Sequence, residues 1–283
     1  MKQLLFANII WAFSFSFIGH YVSGKVDTYL AIFIRLFLGF LFWLPLLKIT
    51  KENHQQRFRC MVIGAIQIGF MYIAYYHSFS YLKVNEVALF TITTPLYISL
   101  FSSLLNKKVN WVALAAAIIA VFGAAIIKWT SITEQFWWGF MLVQLANSCF
   151  ALGQVLYRRY LAGQDKQVSF FAYFYLGALI PVTPFLVLRF KELSFHMPLT
   201  TLMTLTWLGL VASGLAYYLW NSGLGKVSTA SLSVLNNVLV PLAIIINFLF
   251  WPSSIEWLPF ILGSLVIVLS LFFERFFIQM LKY

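Results

Sequence analysis

The sequence predicts an all-α membrane protein of ten transmembrane helices, arranged as two inverted five-helix repeats. Composition is the first reason: of 283 residues, 62% are hydrophobic, 19% aromatic and only 10% charged. The mean hydropathy is +0.88, and a soluble domain does not carry such values. The second reason is a succession of apolar runs of the roughly 17 to 25 residues that a membrane helix needs. The third is the return of the same short patterns in the second half of the chain.

Breaks made by charge, Pro, Gly or Asn separate spans near Leu4 to Val22, Tyr29 to Leu47, Met61 to Leu82, Val84 to Leu105 and Trp111 to Ile127. Five more follow near Phe136 to Leu156, Val168 to Leu188, Leu202 to Trp220, Val227 to Phe250 and Ile255 to Phe273. The first follows a single lysine, Lys2, and has no small-residue cleavage pattern, so it reads as a retained span and not as a signal peptide. Met61 to Leu105 as one helix would run roughly 65 Å at about 1.5 Å per residue, twice the hydrocarbon thickness. A turn is therefore expected at Leu82-Lys83-Val84-Asn85. Blocks such as Ala113 to Ala120 are apolar all round, which excludes the alternating strands of an outer-membrane barrel.

The net charge of +11 comes from residues scattered in ones and twos between apolar runs, so no basic face for nucleic acid can form. Counted over loops with the N-terminus inside, thirteen lysines and arginines fall on the inner side and five on the outer, with Arg35 left within a span. That bias places both termini in the cytoplasm and, for a bacterial chain, the protein in the cell's inner membrane. Cys60 and Cys149 have no metal-ligand spacing. An embedded enzyme would need paired acids, a histidine set or a serine with its base, and the eight acidic residues lie nearly all in loops or at span ends. No enzyme activity, metal or cofactor is expected.

The repetition fixes the proposed halves. Trp11-Ala12-Phe13-Ser14 with Gly19 returns as Leu145-Ala146-Asn147-Ser148 with Gly153, and Leu36-Phe37-Leu38-Gly39 with Pro45 returns as Phe174-Tyr175-Leu176-Gly177 with Pro184. Ile73-Ala74-Tyr75-Tyr76 returns as Leu215-Ala216-Tyr217-Tyr218, and Val109-Asn110-Trp111 as Ile255-Glu256-Trp257. Residues 1–130 and 131–283 then form two repeats of five spans. Five is odd, so the second enters the membrane from the opposite side, as in many secondary transporters.

The order and spacing of these motifs resemble the EamA-type ten-span permeases of the drug/metabolite transporter superfamily. The resemblance covers nearly the whole chain: the Trp-Ala-Phe-Ser opening, Arg35 with the later Pro45, Thr93-Thr94-Pro95, and Ala216 to Asn221 before Val240-Pro241. Glu86 to Thr91 is similar to the branch that carries carboxylates, amino acids and amines. Asn106-Lys107 and Pro252-Ser253 stand where a Gly-Glu often closes the fourth and ninth spans. The resemblance implies a central cavity inside the first four helices of each half, with the fifth and tenth outside as possible homodimer contacts. It also implies alternating access and a small metabolite as cargo, an amino acid, amine or related amphipathic solute, moved outward. The lipid bilayer and that solute are the expected partners. A non-catalytic receptor or assembly subunit and a lipid-carrier flippase remain alternatives.

Transport needs polar groups at membrane depth. The candidate solute-binding residues are Ser14, Arg35, Tyr76, His77, Thr94, Asn147, Asn221, Asn236 and Asn237. Arg35 either snorkels to the outer surface or holds a carboxylate or phosphate, which its planar fork suits. Tyr76 lies on one helical face with Tyr72, Tyr75 and Phe79, beside His77; an aromatic belt would use the same residues. Asn236 and Asn237 precede Pro241 at mid-depth, and they, Asn147 and Asn221 suit either a solute or interhelical bonding. Thr94 can also bond back to its own helix. Glu86 suits the first turn of its helix; with His77 it is the candidate for weak proton coupling, the alternative being facilitated diffusion.

Overall fold

The computed structural model describes residues 2–47, 54–107, 133–162, 167–227, 229–251 and 257–280, with scattered positions between 111 and 126. Most of the expected span from Trp111 to Ile127 lies outside the described residues. The described chain is all-helical. Among these residues six helices are long and apolar enough to cross a membrane: α1 (Lys2–Val22), α2 (Thr28–Leu46), α3 (His54–Ser78), α4 (Val84–Leu105), α5 (Glu134–Tyr160) and α7 (Leu199–Leu224). Between the last two runs α6 (Gln167–Leu179), and α8 (Thr229–Phe250) and α9 (Trp257–Met280) follow.

The ends of these helices follow from local chemistry. Asp27 caps α2 by accepting hydrogen bonds from the Tyr29 and Leu30 amides at 2.9 and 3.0 Å, and Thr133 caps α5 through the Phe136 amide at 3.1 Å. The turn expected near Lys83 is present between α3 and α4. The expected span from Val168 to Leu188 is not one helix: α6 stops at Leu179 and a short helix resumes over Thr183–Leu188. Pro181 and Pro184 account for the break, because each lacks an amide hydrogen and crowds the preceding turn.

Three of these helices also leave α geometry, at the π-helical stretches Ile18–Val22, Ala65–Phe70 and Leu208–Leu215. The last two occupy matching places in α3 and α7, just before the paired Tyr75-Tyr76 and Tyr217-Tyr218. In such stretches the bonding register slips, and carbonyls turn away from the helix axis.

Packing brings α1 against α7 and α8, and α5 against α3 and α4. The π stretch of α7 lies on α2, α6 lies on α3, and α2 and α6 meet each other. Exchanging α1–α4 with α5–α8 maps this set of contacts onto itself, with α2–α6 as the contact that is its own image. The α3–α6 crossing is backbone to backbone: a Cβ at Gly64 would lie 1.9 Å from the Phe174 carbonyl oxygen, and one at Gly177 would lie 2.0 Å from that of Met61. Small residues at such crossings let helices approach where no hydrophobic effect drives them together. α9 stays peripheral and leaves Leu258, Ile261, Leu265 and Leu269 exposed.

Gly64→Ala and Gly177→Ala are each expected to destabilise the fold by about 1–3 kcal/mol or more through overpacking. The measurement is the melting temperature of purified protein in detergent. Unchanged melting in both variants would contradict the close crossing.

Candidate functional site

The π stretch of α7 lies behind the site and holds the residues that line it. Three of its carbonyls are taken by side chains from other helices: Ala212 O by Trp11 Nε1 at 2.8 Å, Ser213 O by the Tyr175 hydroxyl at 2.6 Å, and Gly214 O by Trp43 Nε1 at 2.9 Å. Indole and phenol donors thereby satisfy backbone groups that lipid cannot. The same slip turns Ser213 toward α2, where its Oγ accepts from Arg35 Nε at 2.7 Å and lies 3.0 Å from the Tyr72 hydroxyl.

Arg35 is 2% exposed, so it does not snorkel. Its Nη1 donates to the Tyr76 hydroxyl at 3.1 Å, and its guanidinium lies 4.2 Å from the centre of the Tyr72 ring. Cation–π contact of this kind is worth about 2 kcal/mol when desolvated. Among the described residues no carboxylate lies within ion-pair distance of it. Two of the five guanidinium hydrogens are committed to Ser213 and Tyr76, and the group borders a cavity.

That cavity, of about 80 Å³, lies between α1, α2, α3, α4, α5, α7 and α8. Its apolar wall comes chiefly from Trp11, Phe15, Phe150 and Tyr217. The Trp11 ring centre lies 4.8 Å from that of Tyr217 and 5.7 Å from that of Phe150. Its polar groups besides Arg35 include Ser14, Tyr75, Thr94, Asn147 and Asn236. The Tyr75 hydroxyl and Asn147 Oδ1 accept no hydrogen bond from any described residue. Asn147 is aimed by its Nδ2, which donates to Phe90 O at 2.9 Å and to Thr93 Oγ1 at 3.0 Å. Pro95 lies behind this arrangement. It cannot donate to Thr91 O, the Thr94 hydroxyl does so instead at 2.7 Å, and α4 tightens to a 3-10 turn over Thr91–Thr93.

Of the residues singled out from sequence, Ser14, Arg35, Thr94, Asn147 and Asn236 therefore meet at one cavity, with Tyr76 directly behind Arg35. Others lie elsewhere. Asn221 forms a reciprocal amide pair with Gln67, at 2.9 and 3.3 Å, that ties α7 to α3. His77 donates from Nδ1 to Ile73 O at 2.7 Å and packs on Tyr29 away from the cavity. Asn237 borders a different, apolar groove between α8 and α9. Glu86 Oε2 accepts from the Lys83 amide at 2.8 Å, a capping-box position at the start of α4. Sequence reasoning did not find Ser213, Trp11 or Gln67. Ser213-Gly214 is a small polar break in an otherwise apolar span, a signal present but weak, and Gln67 lies in the equivalent π stretch.

A bundle of long apolar helices around a cavity lined by a buried cation, amides and phenols has the form of a polytopic carrier. Residues 2–129 and again 137–274 match the EamA-like transporter family. The chain belongs to that family: it is a multi-pass membrane transporter, not an enzyme, and the double match suggests an internal repeat. A protein named "Probable biotin transporter" in Pseudomonas aeruginosa is 41% identical over 280 residues, covering 97% of each chain. The "Biotin transporter" of Escherichia coli K12 is 40% identical over 280 residues, 97% of this chain and 93% of its own. A solved crystal structure only 15% identical shares the fold, with a TM-score of 0.65 over 98% of this chain and 96% of that one.

Cavity and glue residues are expected to separate in experiment. Asn147→Ala should lower flux about tenfold, roughly 1.4 kcal/mol, with folded yield retained, and Asn237→Ala should change flux less than twofold, about 0.4 kcal/mol. Gln67→Ala should lower folded yield, whereas Gln67→Leu with Asn221→Leu should restore it, because removing both partners leaves no unsatisfied amide. Size-exclusion recovery and solute flux, read on the same preparations, check all four.

Proposed function

We propose that this transporter carries biotin across a bacterial inner membrane by alternating access. The observation that carries the reading is Arg35, a buried guanidinium that borders an otherwise aromatic cavity and has no acidic partner among the described residues, in a chain about 40% identical to proteins named biotin transporters. Biotin is a monocarboxylate on an apolar chain that ends in a fused ureido ring. A carboxylate matches the fork of Arg35. The chain and ring skeleton match the apolar wall of Trp11, Phe15 and Phe150. The two ureido N–H groups match the free acceptors on Asn147 and Tyr75. This reading replaces the amino acid or amine exporter expected from sequence, because the relatives at about 40% identity are named biotin transporters and no acid among the described residues borders the cavity to receive an amine.

Residues 1–130 and 131–283 act as two inverted five-span halves, with both termini in the cytoplasm. The exchange symmetry of the helix contacts, the odd number of spans per repeat and the thirteen-to-five basic bias support this arrangement. The cavity of about 80 Å³ is far below the roughly 300–1,000 Å³ of small-molecule pockets. Solute admission therefore requires the aromatic wall to part, which suits a contracted state of a rocking-bundle cycle.

Purified protein in proteoliposomes is expected to take up radiolabelled biotin saturably, with competition by free biotin and not by biotin methyl ester. Arg35→Gln should lower uptake about 10- to 100-fold, since a charge-assisted hydrogen bond is worth roughly 1.5–3 kcal/mol. Well-folded protein with no saturable biotin uptake, or equal competition by the ester, would overturn the assignment.

A further inference from the structure

A second hollow of about 330 Å³ lies where α4 and α5 end on the basic side of the bundle. Its lining is rich in polar groups: Ser102 and Asn106 from the end of α4, and Gln154, Arg158 and Arg159 from α5. Arg159 reaches across to Leu105 O at 3.2 Å, and Arg158 to Val227 O at 3.1 Å, so the two arginines clasp the ends of neighbouring helices around this vestibule.

The vestibule and the central cavity share three helices, α4, α5 and α8. On α5, Asn147 borders the cavity and Gln154 the vestibule. Seven residues separate them, two turns of the same helical face and roughly 10 Å of rise. Arg158 continues the stripe one turn further. On α8, Asn236 borders the cavity and Leu232, one turn away, borders the vestibule. Gln154 of the vestibule and Asn236 of the cavity form a reciprocal amide pair: Gln154 Nε2 donates to Asn236 Oδ1 at 3.3 Å, and Asn236 Nδ2 donates to Gln154 Oε1 at 3.4 Å. Asn236 Nδ2 at the same time donates to Leu232 O at 2.9 Å within its own helix.

We propose that the Gln154–Asn236 pair is the gate between the central cavity and a basic vestibule that receives the solute's carboxylate. Two long amide bonds close the passage, and each amide can exchange its partner for water or for the passing solute, so opening leaves no buried polar group unsatisfied. Asn236 retains its bond to Leu232 throughout. The arginines beyond the gate concentrate an anion at the mouth, and the stripe Arg158, Gln154, Asn147 leads it inward. The vestibule's preference for an anion rests on the carboxylate reading of Arg35; the gate rests on geometry alone.

The test uses the full chain with Cys60→Ser and Cys149→Ser, and one reporter cysteine at a time, Ala146→Cys in the cavity or Ser102→Cys in the vestibule. Right-side-out and inside-out vesicles are treated with membrane-impermeant thiol reagents, an anionic sulfonate and a cationic trimethylammonium. With Gln154→Ala and Asn236→Ala, modification of Ala146→Cys is expected to rise tenfold or more from the side that also modifies Ser102→Cys, and not from the other. Gln154→Asn, which shortens the pair by one methylene and keeps the amide, should give a smaller rise and serves if the double variant does not fold. At Ser102→Cys the sulfonate should react faster than the trimethylammonium reagent, by a ratio that falls when Arg158 and Arg159 become glutamine. An unchanged rate at position 146, or an equal rise from both sides, would overturn the gate; no charge preference at position 102 would overturn the anion vestibule. Because labelling needs no biotin, side-specific labelling without biotin uptake would remove the solute and keep the gate, and uptake without side-specific labelling would do the reverse.

Discussion

The site depends on keeping one guanidinium charged and dry at membrane depth. Removing an arginine from water costs several kcal/mol even after relaxation, and here no acid among the described residues offsets it. What holds Arg35 instead is a set of neutral partners: the Ser213 hydroxyl at 2.7 Å, the Tyr76 hydroxyl at 3.1 Å and the face of Tyr72 at 4.2 Å. Neutral partners stabilise a cation without cancelling it. The charge stays available to a ligand.

That arrangement requires α7 to leave α-helical geometry. In an unbroken helix the carbonyls around Ser213 would point along the axis to their own amides. The π stretch Leu208–Leu215 instead offers three of them outward, and Trp11, Trp43 and Tyr175 draw α1, α2 and α6 onto it. The defect in one helix thus gathers three others and sets Ser213 against Arg35. Pro95 plays a comparable part in α4: it withdraws one donor, the threonines before it answer from their side chains, and Phe90 O is left to aim Asn147 into the cavity.

How much of this the sequence revealed depends on the length scale of the signal. Membrane spans extend over some twenty residues of uniform chemistry, so hydropathy located most of them, and their charge-bearing turns marked the connections. The interrupted helix after Leu179 was readable in principle, because Pro181 and Pro184 stand in plain sight, but apolar side chains continue through the break and mask it. A π stretch has no residue signature of its own: Leu-Gly-Leu-Val-Ala-Ser-Gly-Leu is equally good α-helix, and only tertiary donors for the freed carbonyls select the slipped register. The amides show the same limit from the other side. Asn147, Asn221, Asn236 and Asn237 look alike in sequence, since each is one amide in an apolar run. Which of them faces the cavity is decided by how each helix is turned in the bundle: Asn147 and Asn236 border it, Asn221 is turned to Gln67, and Asn237, next in the chain to Asn236, borders another groove.

A cation balanced only by neutral groups also links loading to movement. With the cavity empty, Arg35 carries an uncompensated charge in a low-dielectric bundle, and conformations that admit water to it are favoured. Under the proposed function a carboxylate removes that preference by pairing with the guanidinium, so the loaded cavity is close to neutral and can be enclosed at lower cost. The solute thereby has different affinities for the open and the contracted states, which any ligand must have in order to shift a conformational equilibrium. An aromatic wall suits the same task, because rings that pack edge to face against one another can part and close again without stranding polar atoms. Under the proposed function the loaded cavity closes at lower cost than the empty one, and that difference couples solute binding to the change of side.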